Sequence, residues 1–311
     1  MEYLHQPVLV HEVVKYLVSE PDGIYVDGTV GSGGHSEAIG RSLSGKGRLV
    51  CIDRDPDAVG VSKERLAFLG EKACVVKANF ADLDMVLKHR GLKEVDGVLL
   101  DLGMSSYQLE KSGRGFSFSK NEPLDMRMDP DEELTARDLV NSLSARELEK
   151  LLRDYGEEKR AKIIARAITT SRREKPIDTS STLAALTKSV VPPSRRPGAL
   201  HPATKTFQAL RIEVNKELKN IQIFLKKLPQ MMAKGGRLVV LSYHSLEGRL
   251  IKQAMIEWER GCTCPPDFPE CVCGKKPSFR RVLKRGLKPG SMEITNNPRA
   301  RSAILRVAER I

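Results

Sequence analysis

Short apolar runs alternate with segments of helical periodicity along the first hundred residues. Each run is rich in β-branched residues and ends at a polar or glycine-containing turn, which is typical of strands buried on both faces. The four runs cover residues 24–30, 48–53, 73–78 and 95–101. This alternation predicts a parallel sheet with helices on both faces, in which ligands bind at the carboxyl ends of the strands.

The alternation stops after the fourth run. The next strand pattern is Gly236–Ser242, and the 132 residues from Met104 to Gly235 have mainly helical patterns. Apolar residues spaced three and four apart predict one long amphipathic helix from Phe207 to Leu225. A single crossover between strands needs far fewer residues, so the sequence predicts an insertion between the fourth and fifth strands.

We therefore predict two domains. A helical domain of residues 109–203 is inserted into a sheet domain formed by residues 1–108 and 204–311. Alternating patterns at 278–284 and 302–309 predict an antiparallel pair that closes the sheet. The predicted fold is α/β, a Rossmann-like and mostly parallel sheet with an antiparallel closing strand and an inserted helical domain.

The first strand leads into the loop Val-Asp-Gly-Thr-Val-Gly-Ser-Gly-Gly-His of residues 26–35. Asp53 ends the second strand, where a carboxylate accepts the ribose hydroxyls of a nucleoside. A dinucleotide site requires G-x-G-x-x-G, and Ser36 stands at its last glycine. Asp27 instead suits a nucleoside with a charged ammonium, such as S-adenosylmethionine. A plain structural turn and a nicotinamide or flavin site are the alternatives.

Composition adds a preference about partners. The chain has 52 Lys and Arg against 40 Asp and Glu, a formal net charge of +12, which favours a polyanionic partner. Its apolar runs are too short to cross a membrane, and its first residues lack the basic and apolar regions of a signal peptide. We expect a cytoplasmic protein with reduced thiols and no membrane partner.

Ten sequence blocks along nearly the whole chain resemble one known family. The blocks are residues 5–9, 27–35, 52–56, 99–106, 114–118, 123–129, 155–158, 201–204, 242–247 and 297–302. The Gly-Phe-Ser-Phe and Leu-Asp-Met-Arg-Met-Asp blocks are far more specific than the glycine loop. With these blocks in order, the chain closely resembles the bacterial 16S ribosomal RNA cytosine-N4 methyltransferase family, ribosomal RNA small subunit methyltransferase H.

The resemblance implies a class I methyltransferase that depends on S-adenosyl-L-methionine. The implied substrate is one cytidine in the decoding region of small-subunit rRNA, presented as 16S rRNA or as the 30S subunit. The cofactor contacts of the family fall on Gly33, Gly34, His35, Asp53, Phe80, Asp101 and Gln108. For Phe80, a core role is the alternative to a contact with the adenine ring.

Cytosine N4 is a poor nucleophile because its lone pair is delocalised into the ring. A hydrogen-bond acceptor on the amino group and in-line orientation favour its attack on a methyl group. Our hypothesis is that Asp101, or Ser105 or Ser106 in the same loop, accepts from N4. His244, at the end of the fifth strand, would orient the base or take the released proton; a structural histidine in a tight turn is the alternative.

Aromatic and basic side chains are the candidate RNA contacts. Arg114, Phe116, Phe118 and Arg127 suit the stacking of an extruded base, although two alternating phenylalanines also suit one core face. The run from Lys275 to Lys288 holds seven cations in 14 residues with no acid between them. We interpret this run as a surface that contacts phosphates.

Four cysteines cluster towards the end of the chain: Cys262, Cys264, Cys271 and Cys273. Four thiolates suit zinc, but C-x-C spacing is less common than C-x-x-C, and thiols without a chemical role are the alternative. The segment is variable in the family that the chain resembles, which implies no essential catalytic role. We assign no metal from the sequence.

Two rival functions are compatible with the same residues. One is a methyltransferase of the same fold that acts on protein or on a small molecule, and the other is a ribosome-assembly factor that binds a nucleoside without catalysis. The basic run and the Phe and Arg residues favour RNA as the substrate, and Asp101 and Gln108 favour catalysis.

Overall fold

The structure is a computed structural model that describes residues 7–192, 200–262, 264–265, 268–270 and 272–311. The chain divides into two compact units. The first unit is formed by Met1–Gly103 and Leu218–Ile311, and the second unit is Met104–Glu217. The second unit therefore begins before Leu109 and ends after Ala203, the bounds expected for the inserted domain. Among the described residues, no helix has the length and apolar character needed to cross a bilayer.

The first unit contains a seven-stranded sheet. Its strands are β1 Ile24–Asp27, β2 Arg48–Asp53, β3 Ala73–Lys77, β4 Val95–Asp101, β5 Met232–Ser242, β6 Phe279–Arg281 and β7 Ile304–Arg310. Their order in the sheet is β3-β2-β1-β4-β5-β7-β6. The first five are parallel, and β7 runs antiparallel to both β5 and β6. The predicted mostly parallel sheet with an antiparallel closing strand is confirmed.

Helices surround this sheet within the first unit and make up most of the second. They are α1 Val10–Leu17, α2 Gly34–Ser42, α3 Pro56–Leu66, α4 Leu83–His89, α5 Ser106–Glu110, α6 Ala136–Ser142, α7 Ala145–Gly156, α8 Ala161–Ser171, α9 Ser180–Val190, α10 Thr204–Val214, α11 Glu217–Lys227, α12 Ser245–Arg260 and α13 Ser291–Asn296. Helices α5 to α10 belong to the second unit.

The strands are apolar because both faces of the sheet are covered. Along β4, Val98 and Leu100 point to one core, and Leu99 points to the core on the opposite face. All three side chains are at most 1% exposed. This double burial explains why the strand sequences are continuous apolar runs without polar alternation.

The prediction of one continuous helix from Phe207 to Leu225 is wrong. The structure has two helices, α10 and α11, separated at Asn215 and Lys216, and Lys216 has a left-handed φ of 51°. The Asn215 amide explains the break: its Oδ1 accepts from Met128 N at 2.8 Å, and its Nδ2 donates to the Met126 carbonyl at 2.7 Å. Apolar periodicity continues through the break because both helices bury one face.

Candidate active site

The glycine loop crosses the carboxyl end of the sheet between β1 and α2. Gly31 and Gly33 have left-handed φ values of 51° and 80°, which glycine adopts without the steric cost that a Cβ carries. Gly28 has no room for a side chain, since a Cβ there would lie 2.6 Å from Leu100 Cδ2 and 3.2 Å from Phe80 Cβ. The loop thus lies close against the ends of β4 and β3. Such a crossing at the point where strand order reverses is where doubly wound sheets bind ligands.

Asp27 lies beneath this loop. Its side chain is 1% exposed and accepts hydrogen bonds from Ser36 Oγ at 2.6 Å and from Thr29 N at 3.2 Å. Burial raises the pKa of Asp27. Its carboxyl group therefore joins the loop to the first turn of α2. This buried position differs from the exposed one that is expected if Asp27 binds a charged ammonium group directly.

Asp53 connects the end of β2 to the glycine loop. Its Oδ2 accepts from Gly31 N at 2.9 Å, and its Oδ1 accepts from Asp55 N at 3.0 Å. Burial raises the pKa of Asp53 to about 6, while the two backbone N–H groups oppose that rise. The carboxylate is held at the sheet edge in the position expected for a ribose-binding acid.

Phe80 follows β3 and is half-buried. Its ring meets Phe224 edge to face, with centroids 5.8 Å apart, and it packs against the core on that face of the sheet. It therefore combines the core role left open by the sequence with a position beside Gly28. The ring still lies at the edge where an adenine is expected.

Asp101 ends β4 beside the glycine loop. Its backbone N donates to Thr29 Oγ1 at 2.7 Å, and its Oδ1 accepts from Gly103 N at 3.2 Å. His35 Nδ1 lies 3.6 Å from Asp101 Oδ2, which is longer than a good hydrogen bond. The carboxylate thus has one oxygen fixed by the backbone and the other beside an imidazole.

His35 is almost completely buried and is fixed from its other side. Its Nε2 lies 2.8 Å from the Val8 carbonyl oxygen, which accepts only, so Nε2 carries the proton of that hydrogen bond. Gly34, the neighbouring cofactor candidate, packs so closely on Pro7 that a Cβ would lie 2.9 Å from the proline Cγ. The segment just before α1 therefore supports the loop at two consecutive residues.

Tyr243 is a site residue that the sequence reasoning missed. Its ring and Asp101 Oδ1 both lie against Gly103. Burial raises the pKa of the Tyr243 phenol, and the neighbouring Asp101 carboxylate raises it further. The phenol is therefore protonated and faces Asp101 as a donor. Tyr243 directly follows β5, and β5 pairs with β4, so the two residues end adjacent strands. The position of Tyr243 at a strand end was the available signal, but the pairing partner of β5 was needed to interpret it.

His244 caps α12. Its Nδ1 accepts from Glu247 N at 3.5 Å, and its Nε2 lies 3.0 Å from Glu247 Oε1. Both ring nitrogens thus face the first turn of its own helix, and the side chain is largely buried. These contacts favour the structural alternative for His244 over a role in proton transfer.

The second unit contains the remaining candidate catalytic, cofactor-binding and substrate-binding residues, and Ser105 and Ser106 lie at the start of α5. Ser105 Oγ accepts from Gln108 N, and Gln108 Oε1 accepts from Ser105 N, both at 3.1 Å. This reciprocal capping box satisfies two donors at the helix start. Ser106 is the first residue of that helix. Ser105 and Gln108 therefore have a structural role in α5 in addition to their predicted functions.

Arg114 and Arg127 organise the loop between α5 and α6. Arg114 Nη1 donates to the carbonyl oxygens of Arg127 and Met128 at 3.0 and 2.9 Å. Arg127 makes a bidentate pair with Asp125 at 2.9 and 2.8 Å, and hydrogen bonds to Asp125 raise the pKa of Arg127. Both guanidinium groups are engaged by this loop, which favours a structural role.

The two phenylalanines differ in burial. Phe116 is 5% exposed and belongs to the core of the second unit, which favours the core alternative. Phe118 is half-buried and stacks on His201 with centroids 4.5 Å apart, and it meets Phe207 edge to face at 5.7 Å. Of the two rings, only Phe118 retains exposed surface for a base.

The basic run from Lys275 to Lys288 is partly neutralised by acids from other segments. Arg280 pairs with Glu309 at 2.6 Å and Arg281 with Glu259 at 2.5 Å. The exposed cations of the run are Lys275, Lys276, Arg280, Lys284, Arg285 and Lys288. The sequence of the run did not predict these ion pairs, because their acidic residues lie in β7 and α12.

Comparisons with known proteins point to one methyltransferase family along nearly the full chain. A model of the MraW methylase family matches residues 2–311. The chain is 45% identical to the protein of Lachnospira eligens named ribosomal RNA small subunit methyltransferase H. That match covers 100% of this chain and 99% of the relative. Proteins of the same name are 45% identical in Heliobacterium modesticaldum, over 100% of both chains, and 47% identical in Caldicellulosiruptor saccharolyticus, over 99% of this chain and 100% of the relative.

Proposed function

The chain belongs to the MraW methylase family, and from this premise we propose that it methylates N4 of a cytidine in the decoding region of 16S rRNA. It is a methyltransferase that depends on S-adenosylmethionine. Its relatives are named for ribosomal RNA of the small subunit. The observation that carries the proposal is the position of Asp101, beside Tyr243 at the edge where the glycine loop and Asp53 would form the nucleoside site.

The residues at this edge fit S-adenosylmethionine. Asp53 is positioned for the ribose hydroxyls, and Asp101 gives the edge a second acidic side chain beside the loop. Such carboxylates attract the sulfonium and ammonium groups of this cofactor, whereas they repel the pyrophosphate of a dinucleotide. Gly33, Gly34 and His35 would line the loop side, and Phe80 the adenine side. When bound there, the cofactor supplies an electrophilic methyl group.

Asp101 would orient the nucleophile. Its Oδ1 is occupied by Gly103 N, and Oδ2 has a long contact with His35 Nδ1, so Oδ2 is the oxygen that would accept an N4–H hydrogen bond. Accepting that proton draws electron density to N4 and favours its attack. In that step the bond from the methyl group to N4 would form as its bond to the sulfonium sulfur broke, which would leave a neutral thioether, and the proton would pass from N4 to Oδ2. We assign this step to Asp101 because Ser105 Oγ already accepts from Gln108 N.

Tyr243 would keep the acceptor in place. A hydrogen bond donated by its protonated phenol would restrict rotation of the Asp101 carboxylate, and the Gly103 N–H already holds Oδ1. A carboxylate fixed from two sides needs little reorganisation when the amino group arrives. Tyr243 is thus a positioning residue in this mechanism.

The exposed cations would bind the rRNA. Five of them, Lys275, Lys276, Lys284, Arg285 and Lys288, lie within one segment of the first unit. Such side chains bind phosphates and release counterions, so affinity falls as salt rises. The second unit, which includes the predicted insertion 109–203 and the exposed Arg173 and Lys175, would contribute RNA recognition.

The test is methyl transfer from a labelled cofactor. The substrates are 30S subunits from cells that lack this enzyme, free 16S rRNA, tRNA and a protein extract, and mass spectrometry of digested RNA identifies the nucleoside. We expect N4-methylcytidine at one position in 30S subunits or in 16S rRNA. Label in protein, methylation at another atom, or no turnover with intact cofactor binding would each overturn the proposal.

A salt titration tests the RNA-binding part separately. Binding of 16S rRNA is expected to weaken steeply between low and moderate salt, and replacing Lys275, Lys276, Lys284 and Lys288 with Gln is expected to reduce that slope. An equally steep slope in this variant would remove the segment from the RNA interface while leaving the assignment of the reaction intact.

A further inference from the structure

Three cysteine side chains converge in the segment between α12 and β6. The Sγ atoms of Cys262, Cys264 and Cys273 all lie within 4.8 Å of one another. The Sγ atoms of Cys262 and Cys273 are 3.7 Å apart. Cys271, the fourth cysteine of the sequence cluster, lies outside the described residues. Cys262 and Cys264 form one C-x-C pair, and the fold brings them next to Cys273, which comes later in the sequence.

The separation of these sulfur atoms matches a metal site. Zinc binds thiolates at about 2.3 Å in tetrahedral geometry, which places neighbouring sulfur ligands about 3.8 Å apart. A disulfide requires about 2.0 Å between the two sulfurs. The Cys262 to Cys273 distance of 3.7 Å equals the edge of a zinc–thiolate tetrahedron. The other two separations are within 4.8 Å, so a small movement of Cys264 would complete one triangular face of that tetrahedron.

We propose that Cys262, Cys264 and Cys273 bind one Zn²⁺ ion as a structural site. All three side chains are half-buried, so the ion would be partly shielded from water. Arg260, whose Nη2 donates to the Cys264 carbonyl at 3.5 Å, puts positive charge beside this cluster. That charge offsets the net negative charge of a zinc ion with three thiolate ligands.

The segment needs such a link because it has little core of its own. Its described residues between α12 and β6 include no helix or strand, and Phe268 and Val272 are 51% and 74% exposed. A bound metal replaces the missing hydrophobic stabilisation of small loops, since its binding free energy becomes folding free energy. The site would therefore fix a segment that hydrophobic burial leaves weakly held.

The two ends of the segment meet near the only tryptophan of the chain. Ser278 N donates to the Trp258 carbonyl at 2.9 Å, and the Trp258 ring stacks on Phe279 with centroids 4.6 Å apart. Gly261 approaches Pro277 so closely that a Cβ would lie 2.4 Å from its N. Trp258 fluorescence therefore reports on the metal-dependent order of this segment. The zinc site does not depend on the proposed reaction.

The other two cysteines provide a matched control. Cys51 is completely buried in β2, and burial raises the pKa of its thiol. Cys74 is half-buried in β3, and burial raises the pKa of its thiol as well. A thiol that resists deprotonation is a poor zinc ligand, so neither is expected to bind the ion.

The experiment measures metal in the full-length protein purified under reducing conditions. We expect about one zinc ion per chain, released by a mercurial reagent, and Co²⁺ in its place to give thiolate charge-transfer and tetrahedral ligand-field absorption bands. Chelation of the zinc is expected to change Trp258 fluorescence. These measurements on the unaltered protein do not depend on whether any variant folds.

Single substitutions then assign the ligands. Cys262→Ser, Cys264→Ser and Cys273→Ser are each expected to weaken metal binding at least tenfold, whereas Cys74→Ala keeps the full zinc content. Absence of zinc and of cobalt bands in the reduced protein would overturn the proposal. So would a Cys262–Cys273 disulfide in protein prepared without oxidant, or loss of zinc on Cys74→Ala alone.

Discussion

Two regions hold the candidate functional residues, and they use similar side chains differently. At the sheet edge of the first unit, Asp53 and Asp101 each accept from a backbone N–H two residues on and also face a group from another strand or loop, Gly31 N and Tyr243 respectively. In residues 105–132 of the second unit, Ser105 and Arg127 bond to partners within a few residues of themselves. The first arrangement holds side chains at a shared edge, and the second stabilises its own backbone.

We interpret this difference as one between candidate ligand-binding residues and residues that support a loop. The Asp101 carboxylate, held at one oxygen by Gly103 N and still partly exposed, can accept from a new partner. A guanidinium such as Arg127, bidentate on Asp125 and bonded to the carbonyls of Pro130 and Glu132, has its donors committed. A highly specific sequence block can therefore mark a structural requirement as well as a ligand contact.

The largest effect is expected from Asp101→Asn. Loss of the acceptor for the N4 proton should lower kcat for methyl transfer by about 10²- to 10⁴-fold. Asp125→Asn is the matched change in the second unit, and there kcat should fall by less than about threefold. The measurement is single-turnover methyl transfer with the binding constant for S-adenosylhomocysteine determined beside it. Unchanged turnover in Asp101→Asn would remove this residue from the mechanism.

A smaller effect on turnover is expected from Tyr243→Phe. A hydrogen bond to a charged group contributes about 1.5–3 kcal/mol, which corresponds to roughly 10- to 100-fold in kcat. Cofactor affinity should change less than turnover, which a general loss of folding would not produce. Tyr155→Phe is the control, since the pKa of the Tyr155 phenol is likewise raised by burial and by a neighbouring carboxylate, that of Glu213. Equal kinetic losses in the two variants would contradict a special role for Tyr243.

Cofactor affinity is expected to depend on the ionisation of Asp53. Because its pKa is raised to about 6, the carboxylate becomes protonated as the pH falls through that value and loses acceptor capacity for the ribose hydroxyls. Between pH 7 and pH 5 the ionised fraction falls about tenfold, and affinity for S-adenosylhomocysteine should fall with it. Calorimetry across this range measures the change. Persistence of the same pH dependence in Asp53→Asn would assign it to another group.

The smallest effect on catalysis is expected from Arg127→Ala, which acts on stability. Losing the hydrogen bonds to Asp125 and to two carbonyl groups should lower the free energy of unfolding by about 1–2 kcal/mol. Arg153→Ala, which removes an exposed helical pair with Glu149, should cause little change. Denaturant unfolding gives both values. If Arg127→Ala instead weakens rRNA binding without a change in stability, Arg127 contacts the RNA.

Local patterns predicted much of the fold. The bounds of β2 and β4 agree with the apolar runs at 48–53 and 95–101, because continuous burial leaves an unbroken hydrophobic signal. The break between α10 and α11 was missed. It depends on Asn215, whose amide bonds to Met126 and Met128, nearly ninety residues earlier in the chain. A long-range hydrogen bond of this kind leaves no trace in apolar periodicity.

The sequence by itself determined the buried strands, the glycine loop and the acid at the end of β2, because burial, positive φ and strand ends impose local requirements on residue type. Only the tertiary structure decided the positions of Tyr243 and Arg114. Placing β5 beside β4 brings Tyr243 to Asp101, and folding of the 114–132 loop brings the Arg114 guanidinium to the carbonyl oxygens of Arg127 and Met128. The physical reason is that a hydrogen bond depends on where its partner's backbone lies, and that position is set by the packing of distant segments.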